Sequence, residues 1–321
     1  MSLGEFDIIA RYFTRTAPRD DVLLGVGDDA ALLMPPPGHA LVAATDTLVE
    51  GRHFLPGTPA ASVGHNALAV NLSDLAAMGA DPAWALLSLS MPDVDEAWLG
   101  EFARGLHALA SRHGVALVGG DTVSGPRVVT VEVLGFVPPD AALRRDRARP
   151  GDAIFVSGTP GVAAAGLELL RDGRATFDSN DPRVRRFLYA EPRLVLGRAL
   201  RGRATAAMDV SDGLLGDLAK LAAASKVGAR LDLERLPLQA LLAAGHDRPR
   251  AEQYALHGGD DYELLFTLPG DAADAYAAEI EAQTDGSIQR IGEIVAGAGV
   301  TCRRDGRDAH VSGRGYDHFA R

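Results

Sequence analysis

The sequence predicts two α/β domains joined by a short linker. Val- and Leu-rich runs that end in Gly, Pro or Asp alternate with helical patterns over residues 1–137, and a second such series begins near residue 153. Between the two series lies the Pro- and Arg-rich stretch PPDAALRRDRARPGD, which is typical of an interdomain connection. We therefore predict an N-terminal domain over residues 1–138, a linker over 139–150 and a C-terminal domain over 151–321.

The individual elements follow from the same patterns. In the first domain we expect strands at 41–44, 83–90, 115–118 and 128–137, and helices at 61–78 and 94–113. In the second we expect strands at 153–156, 229–233, 262–268, 288–295 and 299–303, and helices at 162–172, 183–200 and 213–226.

Composition excludes several classes of protein. The net charge of −11 argues against a nucleic-acid partner, which would require a basic surface. Cys302 is the only cysteine, so neither an intrachain disulfide nor a thiolate metal cluster can form. No apolar run approaches the roughly 18–20 residues of a membrane span, and the N-terminus does not resemble a signal peptide. We predict a cytoplasmic protein.

The basic residues are almost all arginine. Lys220 and Lys226 are the only lysines, and neither follows a glycine, so the GxxxxGK[ST] phosphate loop is absent. Both lysines fall in a segment that we expect to be a solvated helix. If the protein binds phosphates, metal ions and arginine must neutralise them.

Acidic clusters recur after apolar runs. They are GDDA (27–30), ATDTLVEGRHF (44–54), AVNLSDLAAMGADP (69–82), LVGGDT (117–122), MDVSDG (208–213) and, with a pattern closer to a hairpin, HGGDDYEL (257–264). Any one of them alone is ordinary turn chemistry. Their recurrence at the ends of predicted strands, where open α/β sheets bind ligands, favours a ligand site.

Within the predicted helix at 61–78, Asn71 and Asp74 lie in a stretch, residues 67–77, that is otherwise nearly all apolar. Asn71 and Asp74 are three residues apart and therefore share a face. A buried carboxylate without a partner costs several kcal/mol, so Asp74 requires a cation or hydrogen-bond donors. With oxygen ligands only, the expected ion is Mg²⁺ or Mn²⁺ rather than zinc.

In order along the chain, these motifs resemble the thiamine-monophosphate kinase family, which is related to aminoimidazole ribonucleotide synthetase. The resemblance rests on GDDA, TDT (45–47), NLSDLAAMGA (71–80), GGDT (119–122), DVSDG (209–213), GTPG (158–161) and the C-terminal GYDHF, and it runs essentially end to end. It implies two α/β domains of the aminoimidazole ribonucleotide synthetase-like fold and a homodimer in which the N-terminal sheets pair. It also implies ATP-dependent phosphorylation of thiamine monophosphate to thiamine diphosphate with several Mg²⁺ ions.

The resemblance also implies roles for individual residues. The metal ligands would be Asp29, Thr45, Asp46, Asp74, Asp121, Asp209 and Asp212. Gly120, Asp121, Arg145 and Ser211 would contact ATP, and His53 and Asp260 would contact thiamine monophosphate. The acceptor would be an ionised phosphate oxygen, so we expect no catalytic base or nucleophile. Carboxylates from both halves of the chain would then serve one phosphate cluster, in a cleft between the domains.

The chain departs from the family pattern at three positions. Ala44 stands where relatives commonly have Ser, so it offers a metal only its backbone oxygen. Asp260 replaces a usual Glu and is shorter by one methylene. Gly313 stands where we expect a large aromatic side chain, for which Tyr316 is the candidate replacement.

Other interpretations remain open at this point. His53 could be a surface residue, Arg145 a solvated linker charge, and 158–161 a tight strand-to-helix connection rather than a phosphate-contacting turn. Selenophosphate synthetase is disfavoured because no lysine precedes residue 220, and the hydrogenase-maturation relatives because the chain ends in Phe-Ala-Arg rather than cysteine. Aminoimidazole ribonucleotide synthetase itself, or a non-catalytic binder of nucleotide or thiamine phosphate, is harder to exclude.

Overall fold

The structure is a computed structural model that describes residues 3–14, 19–284 and 286–311. The chain forms two compact units. Unit 1 comprises Met1–Leu75 and Ala80–Asp140, and unit 2 comprises Ala76–Gly79 and Ala141–Arg321. Within the described ranges, none of the helices combines the length and apolar character that crossing a membrane requires.

Unit 1 is built around a four-stranded sheet and two long helices. Its elements are α1 (Glu5–Ile8, followed by a π-helical turn at Ile9–Phe13), β1 (Val22–Leu24), β2 (Leu32–Leu33), β3 (Ala40–Val49), α2 (Ala60–Ala77), β4 (Asp81–Met91), α3 (Glu96–His113), β5 (Ala116–Ser124) and β6 (Val128–Val137). The strand order is β3-β6-β4-β5, so β3 and β5 are the edges. β6 pairs antiparallel with β3 and β4, whereas β4 and β5 are parallel.

Both faces of this sheet have covering elements. A Cβ atom at Gly135 of β6 would lie 3.1 Å from Leu75 of α2, which places that helix on the face of Gly135. On the opposite face Trp84 and Phe136 meet edge to face with their ring centroids 4.9 Å apart. Apolar residues of the β1–β2 hairpin pack against that pair.

The α2–α3 contact explains two glycines. A Cβ atom at Gly64 would lie 2.1 Å from the Phe102 carbonyl oxygen, and one at Gly105 would lie 1.9 Å from the Ala61 carbonyl oxygen. The helix backbones therefore touch directly, which any larger residue would prevent.

Helix α3 begins and ends where its sequence signals lie. The Asp95 Oδ1 atom accepts hydrogen bonds from the backbone N–H groups of Ala97 and Trp98, which is an N-cap. Gly114, with φ of 65°, ends the helix in the left-handed conformation.

Unit 2 contains a seven-stranded mixed sheet. Its elements are β7 (Ala153–Ser157), α4 (Val162–Arg171), α5 (Pro182–Leu188), α6 (Leu194–Leu200), β8 (Ala206–Val210), α7 (Leu214–Ser225), β9 (Gly228–Asp232), α8 (Gln239–Ala243), α9 (Arg248–His257), β10 (Glu263–Leu268), α10 (Ala273–Glu281), β11 (Ile288–Val295), β12 (Gly299–Arg304) and β13 (Arg307–Ala309). The strand order is β13-β12-β9-β11-β7-β10-β8. Only the β9–β12 pair is parallel among these described strands.

The single helix predicted at 183–200 is wrong. The chain forms α5 and α6 instead, separated by a non-helical stretch that contains Pro192. Proline lacks an N–H group and disfavours a helical conformation in the residue before it, so the helix cannot continue through this point. Strands β8 and β13 and helices α8, α9 and α10 were not predicted. Helix α9 has a usable signal, because Asp247 caps it and Pro249 stands in its first turn.

Candidate functional site

Two of the predicted carboxylate ligands in unit 1 lie inside strands. Asp46 belongs to β3 and Asp121 to β5, and both are exposed. The prediction that these carboxylates follow their strands is wrong, because backbone pairing continues past residues 44 and 118. Asp29 lies in an exposed bend after β1, where its N–H donates to Asp28 Oδ1 at 2.8 Å.

The sheet register separates Asp46 from Asp121. Asp46 stands opposite Val131 of β6, Val131 opposite Leu87 of β4, and Leu87 opposite Gly120, which precedes Asp121. Three strand spacings of roughly 4.8 Å place the two edges about 14 Å apart. Since Mg²⁺ binds oxygen at about 2.1 Å, one ion cannot be bound by both carboxylates of one chain.

The carboxylates also point to different faces of the sheet. Asp46 is aligned with Val131, which is buried on the α2 side, whereas Thr45 is aligned with Glu132 on the opposite side. The Thr45 hydroxyl donates to the Val131 carbonyl oxygen at 3.2 Å. Asp121 is aligned with Ser88 and shares the face of Thr45.

Gly120 shapes the backbone next to Asp121. Its φ is 149°, and a Cβ atom there would lie 1.8 Å from the Leu87 carbonyl oxygen. Only glycine fits at this point. The close approach therefore fixes the strand directly before the candidate ligand.

The two polar residues of α2, Asn71 and Asp74, differ from the prediction in which of them is buried. Asp74 is half-buried, whereas Asn71 is completely buried. The Asn71 amide donates to the Ala67 carbonyl oxygen at 2.9 Å. Its Oδ1 atom has no hydrogen-bond partner among the described residues. Burial is thus costly for the Asn71 Oδ1 atom, whereas the Asp74 carboxylate, one turn later, keeps contact with solvent.

His53 is held in a turn directly after β3. Its Nδ1 atom accepts the backbone N–H of Val49 at 3.0 Å. In the neutral ring this bond places the proton on Nε2.

In unit 2, two loops meet at one edge of the sheet. β8 ends at Val210 opposite the first residue of β10, so loop 211–213 and loop 257–262 are neighbours. The N–H of Asp260 donates to the Ser211 carbonyl oxygen at 3.0 Å, and the N–H of Tyr262 donates to that of Val210 at 2.9 Å. We refer to residues 211–213 and 257–262 as the double loop. Ser211, Asp212 and Asp260, predicted from separate motifs, lie together in it, and Asp209 lies in β8 beside it.

The second part of the double loop, residues 257–262, has a strained backbone. Asp260 and Tyr262 have φ angles of 65° and 51°, a region that bulky residues rarely adopt. Burial raises the pKa of Asp260 to about 6, and the charge of Asp212 acts in the same direction. The Tyr262 hydroxyl donates to Asp260 Oδ1 at 3.4 Å and opposes this rise. Residues 258–262 connect helix α9 to strand β10, so the hairpin expected at 257–264 is wrong.

Asp217 supports the first half of the double loop, and sequence reasoning missed it. It is completely buried in α7, and its Oδ2 atom accepts the N–H groups of Ser211 and Asp212, each at 3.0 Å. Burial raises its pKa against the opposing effect of Lys220. The Lys220 ammonium donates to Asp212 and Asp217, so this exposed lysine is also paired with two carboxylates.

Asp261 supports the second half and was also missed. It is completely buried, and its carboxylate accepts the N–H groups of Gly161 at 2.5 Å and Ala163 at 3.4 Å. Burial raises its pKa to about 8. These two N–H groups at the start of α4 are used internally and are not available to a phosphate.

Glu263, at the start of β10, anchors the same loop through a buried ion cluster. It contacts the guanidinium groups of Arg186 at 2.7 Å and Arg193 at 2.5 Å and accepts the Ser157 hydroxyl at 2.5 Å. Burial works to raise the pKa of Glu263, but Arg193 and Arg186 outweigh it and hold the pKa below its usual value. Arg186 also donates to the Asp261 carbonyl oxygen. The sequence around Glu263 did not predict this network.

Arg145 lies apart from these contacts. It is exposed in a turn, and its carbonyl oxygen accepts the Ser225 hydroxyl at 2.8 Å. The last ten residues, which include Gly313, Tyr316 and GYDHF, lie outside the described residues.

No preformed metal centre exists in the described part of the chain. No group of three or more His, Cys, Asp or Glu residues there is placed to hold an ion. The candidate ligands nevertheless suit Mg²⁺ by their chemistry, because all are oxygen donors. Mg²⁺ is commonly bound by one or two carboxylates, with substrate phosphates completing its ligands.

Comparison with known proteins defines the class of this fold. Residues 27–137 match the family model for the N-terminal domain of AIR synthase related proteins, and residues 149–305 match the model for their C-terminal domain. The chain is thus an AIR synthase related protein.

Full-length relatives identify the family within this class of proteins. The chain is 46% identical to thiamine-monophosphate kinase of Escherichia coli K12 over 327 residues, which cover 100% of this chain and 99% of the relative. The crystal structure of thiamine-monophosphate kinase from Stenotrophomonas maltophilia K279a has a TM-score of 0.87 and 48% identity over 96% of this chain and 99% of that one. The structure of AaThiL complexed with AMPPCP and TMP has a TM-score of 0.76 and 33% identity over 92% of each chain. This protein belongs to the thiamine-monophosphate kinase family.

Proposed function

We propose that this protein transfers the γ-phosphoryl group of ATP to thiamine monophosphate and releases thiamine diphosphate and ADP. The observation that carries the proposal is the similarity, over 92% of each chain, to a structure that holds AMPPCP and TMP together. The full-length identity to named thiamine-monophosphate kinases supports the same substrates. An enzyme of this family needs sites for two anions, and the candidate residues supply metal ligands and donors for both.

We propose that several Mg²⁺ ions are bound by Asp29, Thr45, Asp46, Asp74, Asp121, Asp209 and Asp212. When bound, these ions would neutralise the phosphates and the charge that develops during transfer. The spread of Asp46 and Asp121 across the sheet favours more than one ion, because one ion cannot contact both carboxylates of a chain.

The remaining candidates bind and orient the substrates. Gly120, Ser211 and Arg145 are proposed to contact ATP. His53, in the turn after β3, is proposed to contact thiamine monophosphate. Asp260 contacts the same substrate and is placed by the double loop.

The chemical step needs no protein base. An oxygen of the thiamine phosphate, ionised near neutral pH, attacks the γ-phosphorus of ATP in line with the bond to the β–γ bridging oxygen. That bond breaks, and ADP leaves with its electron pair. The protein contributes position and electrostatics, and no phosphoenzyme forms.

The test is product formation from purified protein with ATP, Mg²⁺ and thiamine monophosphate, followed by separation of thiamine diphosphate. We expect product only when all three are present. Phosphorylation of free thiamine at the same rate would overturn the proposal, because a hydroxyl acceptor requires a base. A stable phospho-aspartate formed with ATP alone would overturn direct transfer.

We also propose a homodimer that forms through residues 1–138, with residues 151–321 as a separate C-terminal α/β domain. Both edges of the unit 1 sheet carry backbone groups without a neighbouring strand in the described chain. Exposed apolar side chains on this unit include Leu23, Leu24, Leu32, Met34, Leu41 and Val123. Light scattering at micromolar protein should give twice the mass of one chain, and the mass of a single chain would contradict the dimer.

A further inference from the structure

Lys220 makes a contact that the proposed reaction does not use. Its Nζ atom lies 2.5 Å from Asp212 Oδ2 and 2.9 Å from Asp217 Oδ1. The lysine side chain is 44% exposed, whereas the Asp217 side chain is completely buried. One partly solvated ammonium group therefore neutralises two carboxylates, of which Asp212 is a candidate Mg²⁺ ligand.

The contact is fixed by the local structure. Asp217 and Lys220 are three residues apart on α7 and so project from the same side of the helix. Asp217 also accepts the N–H groups of Ser211 and Asp212, which ties the loop backbone to the helix. The ammonium group is thereby held beside Asp212, and it orients that carboxylate.

An ammonium group and a divalent ion cannot bind one carboxylate independently, because two cations at this distance repel each other. We propose that Lys220 is a positioning residue. Its ammonium group acts as an internal cation that holds Asp212, and it releases this carboxylate when Mg²⁺ binds. The inference rests on the proposed function only in taking Asp212 as a Mg²⁺ ligand. Lys220 then raises the Mg²⁺ concentration that this carboxylate requires and keeps the empty carboxylate oriented.

The unmodified protein offers a direct test, since Lys220 and Lys226 are its only lysines. Lys226 is exposed at the end of α7 and serves as an internal reference. The two lysines are acetylated with limiting reagent, without nucleotide, and quantified by peptide mass spectrometry. A sodium salt of equal ionic strength replaces Mg²⁺ in the control.

We expect Mg²⁺ to raise the ratio of Lys220 to Lys226 acetylation by about three- to fivefold, the range for release of a partly exposed ion pair. A ratio that Mg²⁺ leaves unchanged, or lowers, would overturn the inference.

Variants give a second readout. In Lys220→Met, Mg²⁺ alone should raise the thermal unfolding temperature at concentrations about three- to fivefold below those needed by the wild type. Lys220→Arg and Lys226→Met should require the wild-type concentration. Equal Mg²⁺ dependence of Lys220→Met and the wild type would refute the competition. If Lys220→Met does not fold, the acetylation ratio decides alone.

Both measurements are made without turnover. An absence of kinase activity would therefore remove the proposed function while leaving the Lys220 result interpretable. A failed Mg²⁺ effect on Lys220 in an active kinase would remove only this inference.

Discussion

Two acidic residues of unit 1 and three of unit 2 lie in opposite surroundings. In unit 1, Asp46 and Asp121 are exposed on edge strands. In unit 2, Asp217, Asp261 and Glu263 are buried and are bound by backbone N–H groups, arginine or lysine of the same chain. The difference teaches that an acidic motif can leave its carboxylates exposed to solvent or use them as an internal support. Burial and the available donors decide between these roles.

The largest expected effect comes from breaking the internal support. Glu263→Gln keeps the size of the side chain but leaves Arg186 and Arg193 without their carboxylate. Removing one partner of a buried ion cluster costs about 3–5 kcal/mol of unfolding free energy. Urea unfolding at neutral pH measures this loss. Glu101→Gln, in the exposed pair with Arg104, is the matched control and should change stability little. Equal losses in the two variants would contradict the comparison.

The next effect concerns the exposed carboxylates. Asp46→Asn removes a charge without changing size, and we expect the turnover rate to fall by at least ~10²-fold, the scale of a lost transition-state contact. Because Asp46 is exposed, the unfolding free energy should hardly change. The control Asp93→Asn, also exposed in unit 1, should retain the wild-type rate. A normal rate for Asp46→Asn would remove this residue from the site.

Asp209 joins the two categories, because it is buried in β8 and is also a candidate metal ligand. Asp209→Asn should lower the rate roughly tenfold and raise the Mg²⁺ concentration for half-maximal turnover. The exposed Asp271→Asn provides a control within unit 2. Unchanged rate and Mg²⁺ dependence would assign Asp209 to the supporting residues alone.

A further effect is a pH dependence of stability. The pKa of Asp261 rises from 3.8 to about 8 on folding, so between those values the unfolded chain has released a proton that the folded chain keeps. Stability from this group is therefore present at low pH and falls as pH rises towards 8, by at most about 1.4 kcal/mol per pH unit. Asn cannot ionise, so Asp261→Asn should lose this slope.

Unfolding free energies measured at about pH 5 and about pH 8 test this prediction. The wild type should lose more stability over that interval than Asp261→Asn, while Asp93→Asn should behave as the wild type. Parallel pH dependence of wild type and Asp261→Asn would mean that Asp261 is ionised throughout.

The sequence by itself determined the α/β class, most element positions and the family. Helix α3 could be predicted because its signals are local, namely Asp95 before its first turn, an apolar stripe along it and Gly114 after it. The motifs that carry Asp46, Asn71, Asp121 and Asp212 could be found for the same reason, since each is a short run of residues. The fold class and family membership predicted from them are confirmed.

Only the tertiary structure decided which acids are buried and what they bind. Strand β3 extends through Asp46 because β6, more than eighty residues later, supplies its hydrogen bonds. Asp261 and Glu263 resemble turn residues in the sequence, yet their partners come from residues 157–163 and from Arg186 and Arg193. Burial and pairing depend on residues distant along the chain, and a local pattern carries no record of them.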